Sequence, residues 1–532
     1  MLIKRLLIEN YKSFEHFEID FTGNCNIIVG DNECGKSTIL EAIHLCMTGQ
    51  LNGRTIHYEL SPFLFNKKVV DAYIAKLREG VKIDPPHILI ELYFDEIPAV
   101  ANLKGSINYH RSDCHGLRLK IAYNDEFADE YARYTEHPDE IKTIPTEYFQ
   151  ASWYSFSENQ VTARSLDIRS TLIDTTSVRL TNGIDANVHR TIDEMLDKKE
   201  RAGLSLLYRR LKESFSDEEA IKSINSRIKK SGIIQHKDFS VSIDISQKTN
   251  WDSTLTSYVD DIPFQYIGKG DQNVIKMMLA LDRKSAKDSD VVLIEEPENH
   301  LSFSTMCQLI SIIQEKCSEK QLILTTHSTY VLNKLGLEKL ILLSKDKKIA
   351  SLQNLSRDTQ EYFKKLPGYD TLRLVLAKKV ILVEGPSDEL FIQRSYRQET
   401  SKMPIENGID VISVNGLSFI RFLEIAVQLG QNVSVVTDND GNSSQVKLKY
   451  KDYDSCENIH ICFDTDDLCR TLEFQIVKVN DLHHLNKILG KSFASKEELS
   501  EYMVKHKTEC ALLLFESTEK ITIPEYIQHA IK

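Results

Sequence analysis

The segment 30–37 constrains the fold of this chain more than any other. It reads G-D-N-E-C-G-K-S and fits the pattern G-x-x-x-x-G-K-[ST] without a mismatch. An apolar, strand-like run at 26–29 precedes it, and a helical pattern from Ser37 to about Thr48 follows it. In such a strand–loop–helix unit, backbone N–H groups surround phosphate oxygens and the helix N-terminus adds partial positive charge. The segment therefore predicts an ATP site.

The side chains of this segment have separate predicted roles. Lys36 would reach the outer phosphates, and Ser37 would bind the Mg²⁺ that accompanies ATP. The predicted nucleotide-binding residues here are Gly30, Asn32, Gly35, Lys36, Ser37 and Thr38.

A second apolar strand pattern, at 291–294, ends in two adjacent glutamates. A carboxylate that leaves such a strand can reach the Mg²⁺ beside ATP, and the next one can orient or deprotonate a water. We therefore assign Glu295 to the metal and Glu296 to the catalytic water. One strand later, His327 is a candidate sensor of the γ-phosphate.

Residues 268–272 read G-K-G-D-Q and open a further helical pattern, where Gly270 and Gln272 could present groups to a second nucleotide. With these segments, the first 345 residues resemble the ABC-type ATPase heads of chromosome-maintenance and double-strand-break repair ATPases. The resemblance implies an ATP-dependent dimer in which 268–272 act in trans. Gly268 stands where that family usually has serine and Glu295 where it usually has aspartate, which implies slow hydrolysis.

Composition limits the remaining functions. At about 150 residues per domain, 532 residues suggest three or so domains. The chain carries 66 Lys and Arg against 78 Asp and Glu, a net charge of −12, so any binding of nucleic acid must be local. No apolar stretch approaches the roughly 20 residues that span a bilayer, and the ten cysteines form no C-x-x-C pair. We expect a cytoplasmic protein with reduced thiols and no membrane partner.

Three apolar strand patterns between 380 and 436 alternate with helical patterns, which favours a parallel sheet. Glu384 and Asp388 follow the first of these strands, and Asp438 and Asp440 follow the last. Open α/β sheets bind ligands at the carboxyl ends of their strands, and oxygen ligands suit Mg²⁺ or Mn²⁺. The pattern therefore predicts a second, metal-binding centre, although an isolated D-x-D is more often a polar turn.

This pattern resembles the Toprim domain of topoisomerases, bacterial primases and some nucleases. A Toprim domain behind an ABC-type head resembles the OLD (overcoming lysogenisation defect) nucleases, a family that includes the Gabija nuclease subunit and retron-associated nucleases. The resemblance covers nearly the whole chain apart from about 160–245. The metal ligands that it implies, for two ions, are Glu384, Asp388, Asp438, Asp440 and Glu473. Lys507 would face the scissile phosphate, with Lys505 as the competing choice, and Glu384 would assist deprotonation of the water.

The family resemblance implies an ATP-binding, metal-dependent endonuclease that cleaves double-stranded DNA in antiphage defence. It implies a homodimer or higher homo-oligomer, and it suggests a helicase-like or retron defence partner. The alternative is an ABC-type clamp that binds nucleic acid without cleaving it and would not need the Toprim acids. Lys447, Lys449 and Lys451 follow the D-x-D loop closely enough to hold DNA, but a solvated lysine-rich loop is the favoured interpretation.

The predicted fold class is α/β, with an ABC-type P-loop ATPase domain that carries a helical dimerisation insert, followed by a Toprim domain with a Rossmann-like parallel sheet. The predicted boundaries are 1–160 and 246–365 for the two parts of the ATPase domain, 161–245 for the insert and 370–532 for the Toprim domain. The charged composition of the insert leaves two interpretations open, an exposed helix pair and a dimerisation arm.

Overall fold

In a computed structural model of the chain, the described residues are 2–81, 83–162, 165–174, 180–181, 184–185, 196–230, 240–243, 251, 256–365, 370–416 and 418–532. They form two compact units. The first unit comprises Met1–Cys25 and Ser37–Thr326, and the second comprises Asn26–Lys36 and His327–Lys532. None of the described helices is long and apolar enough to cross a membrane.

An antiparallel sheet forms one layer of the first unit. Its hydrogen-bonded order is Phe14–Asp20, Ile3–Tyr11, Ile88–Phe94, Cys114–Tyr123 and Lys104–Gly105, and Phe149–Ser155 also pairs with Cys114–Tyr123. The long strand Ile3–Tyr11 contains the charged residues Lys4, Arg5 and Glu9. Its charged residues do not interrupt the pairing, since Arg5 forms an ion pair at 2.6 Å with Asp20 on the neighbouring strand.

Three parallel strands of the first unit include the one that ends in Glu295, a residue of the predicted ATP site. Their order is Ser170–Asp174, Val291–Glu295 and Gln321–Thr325. Asp174 pairs with Glu295, and Glu295 pairs with Thr325, so the three strands end together. Residues 291–294 are fully buried, as expected of a parallel strand covered on both faces.

The predicted insert, 161–245, is helical only in part. It contains the strand Ser170–Asp174, which belongs to the parallel sheet above because it pairs with Val291–Glu295. Its described helices are Lys198–Asp217 and Glu219–Lys230. Residues 163–164, 175–179, 182–183, 186–195, 231–239 and 244–245 of the predicted insert lie outside the described residues.

The strand before the P-loop lies in the second unit. Cys25–Gly30 pairs in parallel with Leu340–Leu343, which pairs in antiparallel fashion with Ile349–Ser351. A Cβ atom on Gly30 would lie 2.2 Å from the carbonyl oxygen of Leu343. The strand can therefore approach its neighbour here only because residue 30 is glycine.

A separate parallel sheet occupies the rest of the second unit. Its order is Ile409–Ser413, Lys379–Val383, Asn432–Val436 and Ile459–Cys462. The first three strands confirm the three strand patterns seen in the sequence, and the fourth was not predicted. Apolar side chains of the helices Pro386–Thr400 and Lys507–Glu516, including Phe391 and Leu514, pack with Val383 in one buried core.

The remaining elements complete the two units. Further α-helices of the first unit are Lys36–Thr48, Ile56–Glu59, Lys67–Arg78, Ala128–Tyr134, Lys269–Asp282, Lys284–Lys287 and Phe303–Lys316. Further α-helices of the second unit are Thr329–Leu335, Arg357–Lys365, Thr371–Leu376, Phe419–Leu429, Ser443–Lys449, Leu472–Val479, Leu482–Leu489, Lys496–Lys505 and Glu525–Ile531. Short strand pairs are Gln50–Leu51 with Arg54–Thr55, Leu180–Thr181 with Ile184–Asp185, and Tyr258–Val259 with Ile262–Pro263.

Candidate functional site

Two carboxylates lie side by side at the carboxyl edge of the parallel sheet in the second unit. Glu384 directly follows the strand Lys379–Val383. Asp438 lies two residues after the neighbouring strand Asn432–Val436. The backbone N–H of Asp438 donates to Oε1 of Glu384 at 3.0 Å, and the Thr437 hydroxyl donates to the same oxygen at 2.7 Å. Strand order therefore brings the two acids together, and two hydrogen bonds orient Glu384.

Asp388 joins these acids from the start of a helix. It is the third residue of Pro386–Thr400, and its Oδ2 accepts the backbone N–H of Gly385 at 3.0 Å. Burial, followed by the negative charge of Glu384, raises the pKa of Asp388 to about 6. Asp388 therefore caps this helix and is also a third carboxylate near Glu384 and Asp438.

Asp438 titrates far above the usual range of a carboxyl group. Burial, followed by the charges of Glu384, Asp388 and Glu473, raises the pKa of Asp438 to about 8, while Lys507 acts in the opposite direction. A carboxyl pKa rises in this way when its negative charge is poorly solvated and not matched by nearby cations. The carboxylates of Glu384, Asp388, Asp438 and Glu473, which we call the acidic group, therefore share one environment in which negative charge exceeds positive charge.

Glu473 and Lys507 reach this environment from later helices. The Glu473 side chain is buried, and the Thr471 hydroxyl donates to its Oε2 at 2.6 Å. Lys507 Nζ lies 3.7 Å from Glu473 Oε1, and its side chain remains about half exposed. Lys505 ends the preceding helix, two residues before the helix that Lys507 begins. The ion pair with Glu473 distinguishes Lys507 from Lys505.

The loop that bears Asp440 is tied to the next loop of the sheet. Asp440 has a φ of +50°, and its N–H donates to the carbonyl of Arg470 at 3.1 Å. Asn439 is buried, and its Nδ2 donates to the carbonyls of Asp464 and Asp466 at 2.8 and 2.9 Å. Sequence reasoning singled out the acids here and missed Asn439, because an uncharged residue between two acids gives no sign of its partners.

The donor set of this edge fits a hard divalent cation. Every candidate ligand is a carboxylate, and oxygen ligands are those that Mg²⁺ and Mn²⁺ prefer. The pKa values of Asp388 and Asp438 are raised because both carboxylates are buried near other negative charges. A bound cation would compensate these charges. Among the described residues, no three acidic, histidine or cysteine side chains already enclose a position for an ion. The acids instead hold hydrogen bonds to Gly385, Thr437 and Thr471.

The P-loop lysine is held by its own loop. Lys36 is buried, and its Nζ donates to the carbonyls of Gly30 and Asp31 at 2.9 and 3.0 Å. Gly35 has a φ of +104°, a conformation that favours glycine. Of the other predicted ATP ligands in this segment, Asn32 is exposed in the loop and Thr38 is half-buried in the first turn of the helix.

Ser37 and Glu295 are in direct contact within the first unit. The Ser37 hydroxyl donates to Oε1 of Glu295. Burial, followed by the charges of Asp174, Glu296 and Glu41, raises the pKa of Glu295, while the Ser37 hydrogen bond lowers it. Asp174 ends the strand beside Glu295 and was missed by sequence reasoning. The available signal was the short apolar pair before it, Leu172 and Ile173, which lay inside the predicted insert.

Glu296 has a strained backbone and a fixed side chain. Its φ is +41°, and its N–H donates to the carbonyl of Thr325 at 3.1 Å. Its Oε2 accepts a hydrogen bond from Asn299 Nδ2 at 2.8 Å. Non-glycine residues in this region cost about 1–3 kcal/mol and cluster at functional sites. The strain is consistent with the role predicted for Glu296.

Residues of the glycine-rich segment 268–272 contact other residues of the first unit. Gly270 lies against the carbonyl of His300, where a Cβ atom would come within 2.8 Å of the oxygen. Gln272 is buried, and its Nε2 donates to the carbonyls of Gln265 and Ile267 at 3.3 and 3.0 Å. His327 lies two residues after the strand Gln321–Thr325 and is the first residue of the later segment of the second unit, His327–Lys532.

Two family models match separate parts of the chain. Residues 1–332 match the model of an AAA ATPase domain. Residues 375–440, which include Glu384, Asp388, Asp438 and Asp440, match the model of an overcoming lysogenization defect protein-like TOPRIM domain.

Individual relatives and solved structures are similar to all or part of this chain. Endonuclease GajA of Bacillus cereus is 22% identical over 479 residues, which cover 84% of this chain and 76% of that protein. The DNA replication and repair protein RecF of Ruminiclostridium cellulolyticum is 36% identical over 76 residues, only 14% of this chain and 20% of that protein. The SMC head domain from Thermotoga maritima aligns at 14% identity over 65% of this chain and 94% of that chain, with a TM-score of 0.29.

The predicted fold class is confirmed by the family models and by the parallel sheets that carry the two sets of acids. The match over residues 1–332 covers more than half of the chain. The chain therefore belongs to the AAA ATPase domain family, and its ATPase domain is followed by a segment that matches the TOPRIM domain of overcoming lysogenization defect-like proteins.

Proposed function

We propose that this protein is an ATP-regulated, metal-dependent endonuclease that cleaves double-stranded DNA at the acidic edge of its Toprim sheet. The observation that carries the proposal is the group of four carboxylates, Glu384, Asp388, Asp438 and Glu473, two of which have raised pKa values. Half-buried groups with strongly shifted pKa values are concentrated at functional sites. The similarity to Endonuclease GajA supports the same conclusion.

Mg²⁺ or Mn²⁺ is the cofactor that this site would take. The residues that would hold two such ions are Glu384, Asp388, Asp438, Asp440 and Glu473. When bound, the ions make water a better nucleophile and stabilise the leaving oxygen of an in-line phosphodiester displacement. Thr437 and the N–H of Asp438 occupy one oxygen of Glu384, so its other oxygen, Oε2, is the one that we assign to the attacking water.

Lys507 has the position expected of a residue that stabilises the cleaved phosphate. Its ammonium lies 3.7 Å from the buried Glu473, and half of its side chain is exposed to a substrate. A cation held at the margin of the acidic group can approach the phosphate oxygens as negative charge develops there. We therefore assign this role to Lys507 and not to Lys505.

The first 332 residues would bind ATP and control cleavage. Lys36 would exchange its carbonyl acceptors for the outer phosphates, and Ser37 with Glu295 would hold the Mg²⁺ that accompanies ATP. Glu296, fixed by Asn299, would orient the hydrolytic water. The further proposed nucleotide contacts are Gly30, Asn32, Gly35, Thr38, Gly270, Gln272 and His327.

We further propose a homodimer or higher homo-oligomer in the cytoplasm, with the segment 268–272 of one subunit facing ATP of the other. The helices of the insert would contribute to this assembly, since Leu206, Leu207 and Leu211 are more than half exposed there. A role in antiphage defence, with a helicase-like or retron partner, follows from the similarity to the OLD family.

Cleavage of supercoiled plasmid by the purified full-length protein tests the proposed function. The reaction would be run with Mg²⁺, with Mn²⁺ and with EDTA, each with and without ATP. The proposal requires nicking or linearisation with metal, loss of it in EDTA, and loss of it in Asp438→Ala. Glu406→Ala is a matched control, because Glu406 is an exposed acid of the same unit outside the acidic group. Binding of plasmid without cleavage under every metal condition would favour the clamp.

A further inference from the structure

A groove of about 520 Å³ extends from the acidic group along the helix Ser443–Lys449. Its acidic lining is Glu384, Asp438 and Asp440. Residues of the helix and its flanks also line it, namely Asn442, Gln445, Val446, Leu448, Lys449 and Tyr450. The groove therefore joins the candidate metal ligands to a helix that carries exposed polar side chains.

The helix places two nearby lysines in different surroundings. Lys449 lines the acidic groove, whereas Lys447 lines a separate groove beside the edge strand Ile459–Cys462. Residues two apart on a helix do not face each other, which accounts for the separation. Lys449 Nζ lies 5.1 Å from the centroid of the Tyr450 ring, a cation–π contact that leaves the ammonium exposed. The sequence could not distinguish these lysines, and the structure does.

Gln445 lies one helical turn before Lys449 and lines the same groove. Its backbone N–H donates to Oδ1 of Asn442 at 3.1 Å, so Asn442 caps the helix, while the Gln445 side chain is exposed. An exposed amide and an exposed ammonium at this spacing are donors suited to successive oxygens of a sugar–phosphate backbone.

We infer that this groove holds the DNA backbone next to the cleaved phosphate, with Lys449 in contact with a phosphate and Gln445 with a neighbouring backbone oxygen. The chain has a net charge of −12, so its contacts to DNA must come from local cations, and Lys449 supplies one beside the metal ligands. The inference rests on the proposed function, because the groove has this use only if the acids cleave DNA.

Salt-dependent binding of a fluorescent duplex tests the inference. All proteins would be full-length and carry Asp438→Asn to prevent cleavage, and anisotropy would be measured with Mg²⁺ over a series of NaCl concentrations. Lys449→Gln should weaken binding several-fold, to a similar extent for unrelated duplex sequences, and should reduce the slope of log affinity against log salt by about one. Lys449→Arg should keep the slope, and Lys447→Gln should keep both slope and affinity.

Each result has a distinct meaning. If the duplex binds and Lys449→Gln matches Lys447→Gln in slope and affinity, the groove does not hold the backbone and the inference is wrong. If no protein of the series binds duplex at any salt concentration, the proposed function itself fails. A reduced slope in Lys449→Gln that Lys449→Arg restores identifies the positive charge, and not helix stability, as the contribution of this residue.

Discussion

The backbone N–H of Asp438 donates to Oε1 of Glu384 at 3.0 Å, across the ends of two neighbouring parallel strands. This hydrogen bond makes the position of one candidate metal ligand depend on the backbone of another. The Thr437 hydroxyl, 2.7 Å from the same oxygen, strengthens that dependence. The relative positions of Glu384 and Asp438 are therefore set by the sheet.

Thr437→Val should weaken metal binding and slow cleavage by about tenfold, because it removes one of two donors to Glu384 with little change in shape. Thr437→Ser keeps the hydroxyl and should retain most of the activity. Calorimetric titration of the DNA-free proteins with Mn²⁺ would separate an effect on metal binding from a later step. Equal Mn²⁺ affinity and equal cleavage in Thr437→Val and the wild type would show that this hydrogen bond has no role in orienting Glu384.

The metal-free protein should lose stability as the pH rises. The pKa values of Asp388 and Asp438 are about 6 and about 8 in the folded chain, whereas an unfolded aspartate titrates near 3.9. The folded state therefore binds more protons between about pH 4 and pH 8, and its stability falls across that window. Thermal unfolding in EDTA at about pH 5 and about pH 8.5 measures the effect.

The control for this pH dependence is Asp438→Asn, which should flatten it because the titrating carboxyl is absent. Mn²⁺ should raise the unfolding midpoint of the wild type more at about pH 8.5 than at about pH 5, since ligands must be deprotonated to bind metal. If the unfolding midpoint changed with pH by the same amount in the wild type and in Asp438→Asn, then Asp438 would not be held in the protonated form.

Lys36→Ala should abolish tight ATP binding, because the outer phosphates lose the cation that the P-loop supplies. Lys142→Ala is the matched control, since Lys142 is an exposed lysine of the same ATPase domain outside the P-loop. Equilibrium binding of fluorescent ATP gives the measurement. Retention of wild-type affinity by Lys36→Ala would place the nucleotide elsewhere.

Glu296→Gln should lower ATP turnover by about a hundredfold or more while ATP still binds. The change keeps the shape that meets Asn299 but removes the charge that orients water. Phosphate release would be compared with that of Glu319→Gln, an exposed glutamate of the same unit. Turnover at the wild-type level in Glu296→Gln would transfer the role to another residue, with Glu295 the first candidate.

Short-range patterns in the sequence were enough to predict the P-loop and the acids at the strand ends. Glu384 directly follows one apolar strand and Asp438 lies two residues after a neighbouring one, so their meeting at one sheet edge follows from parallel pairing alone. Asp174 was missed because its strand has only two strongly apolar residues, Leu172 and Ile173, and lies inside the stretch predicted as the insert. Its partner strand in the sheet lies more than a hundred residues away along the chain. Asn439 and Thr437 were missed because their importance lies in hydrogen-bond partners that only the folded chain supplies.

Later residues of the Toprim domain had no local pattern of their own. Glu473 and Lys507 came from the family resemblance, since a single charged residue in the first turn of a largely apolar helix gives no sign of its partners. The structure places their side chains 3.7 Å apart beside the other acids. Lys447 and Lys449 are the same residue type and lie two positions apart in the sequence. Only the helix geometry shows that they line different grooves.

The central claim is that the acids of the Toprim sheet cleave DNA with a divalent metal. The most direct test is nicking of supercoiled plasmid in Mn²⁺ by the wild type, by Asp438→Asn and by the control Glu406→Ala, with ATP binding measured on the same preparations. We expect cleavage by the wild type and by Glu406→Ala, no cleavage by Asp438→Asn, and equal ATP affinity in all three. Undiminished nicking by Asp438→Asn would contradict the claim.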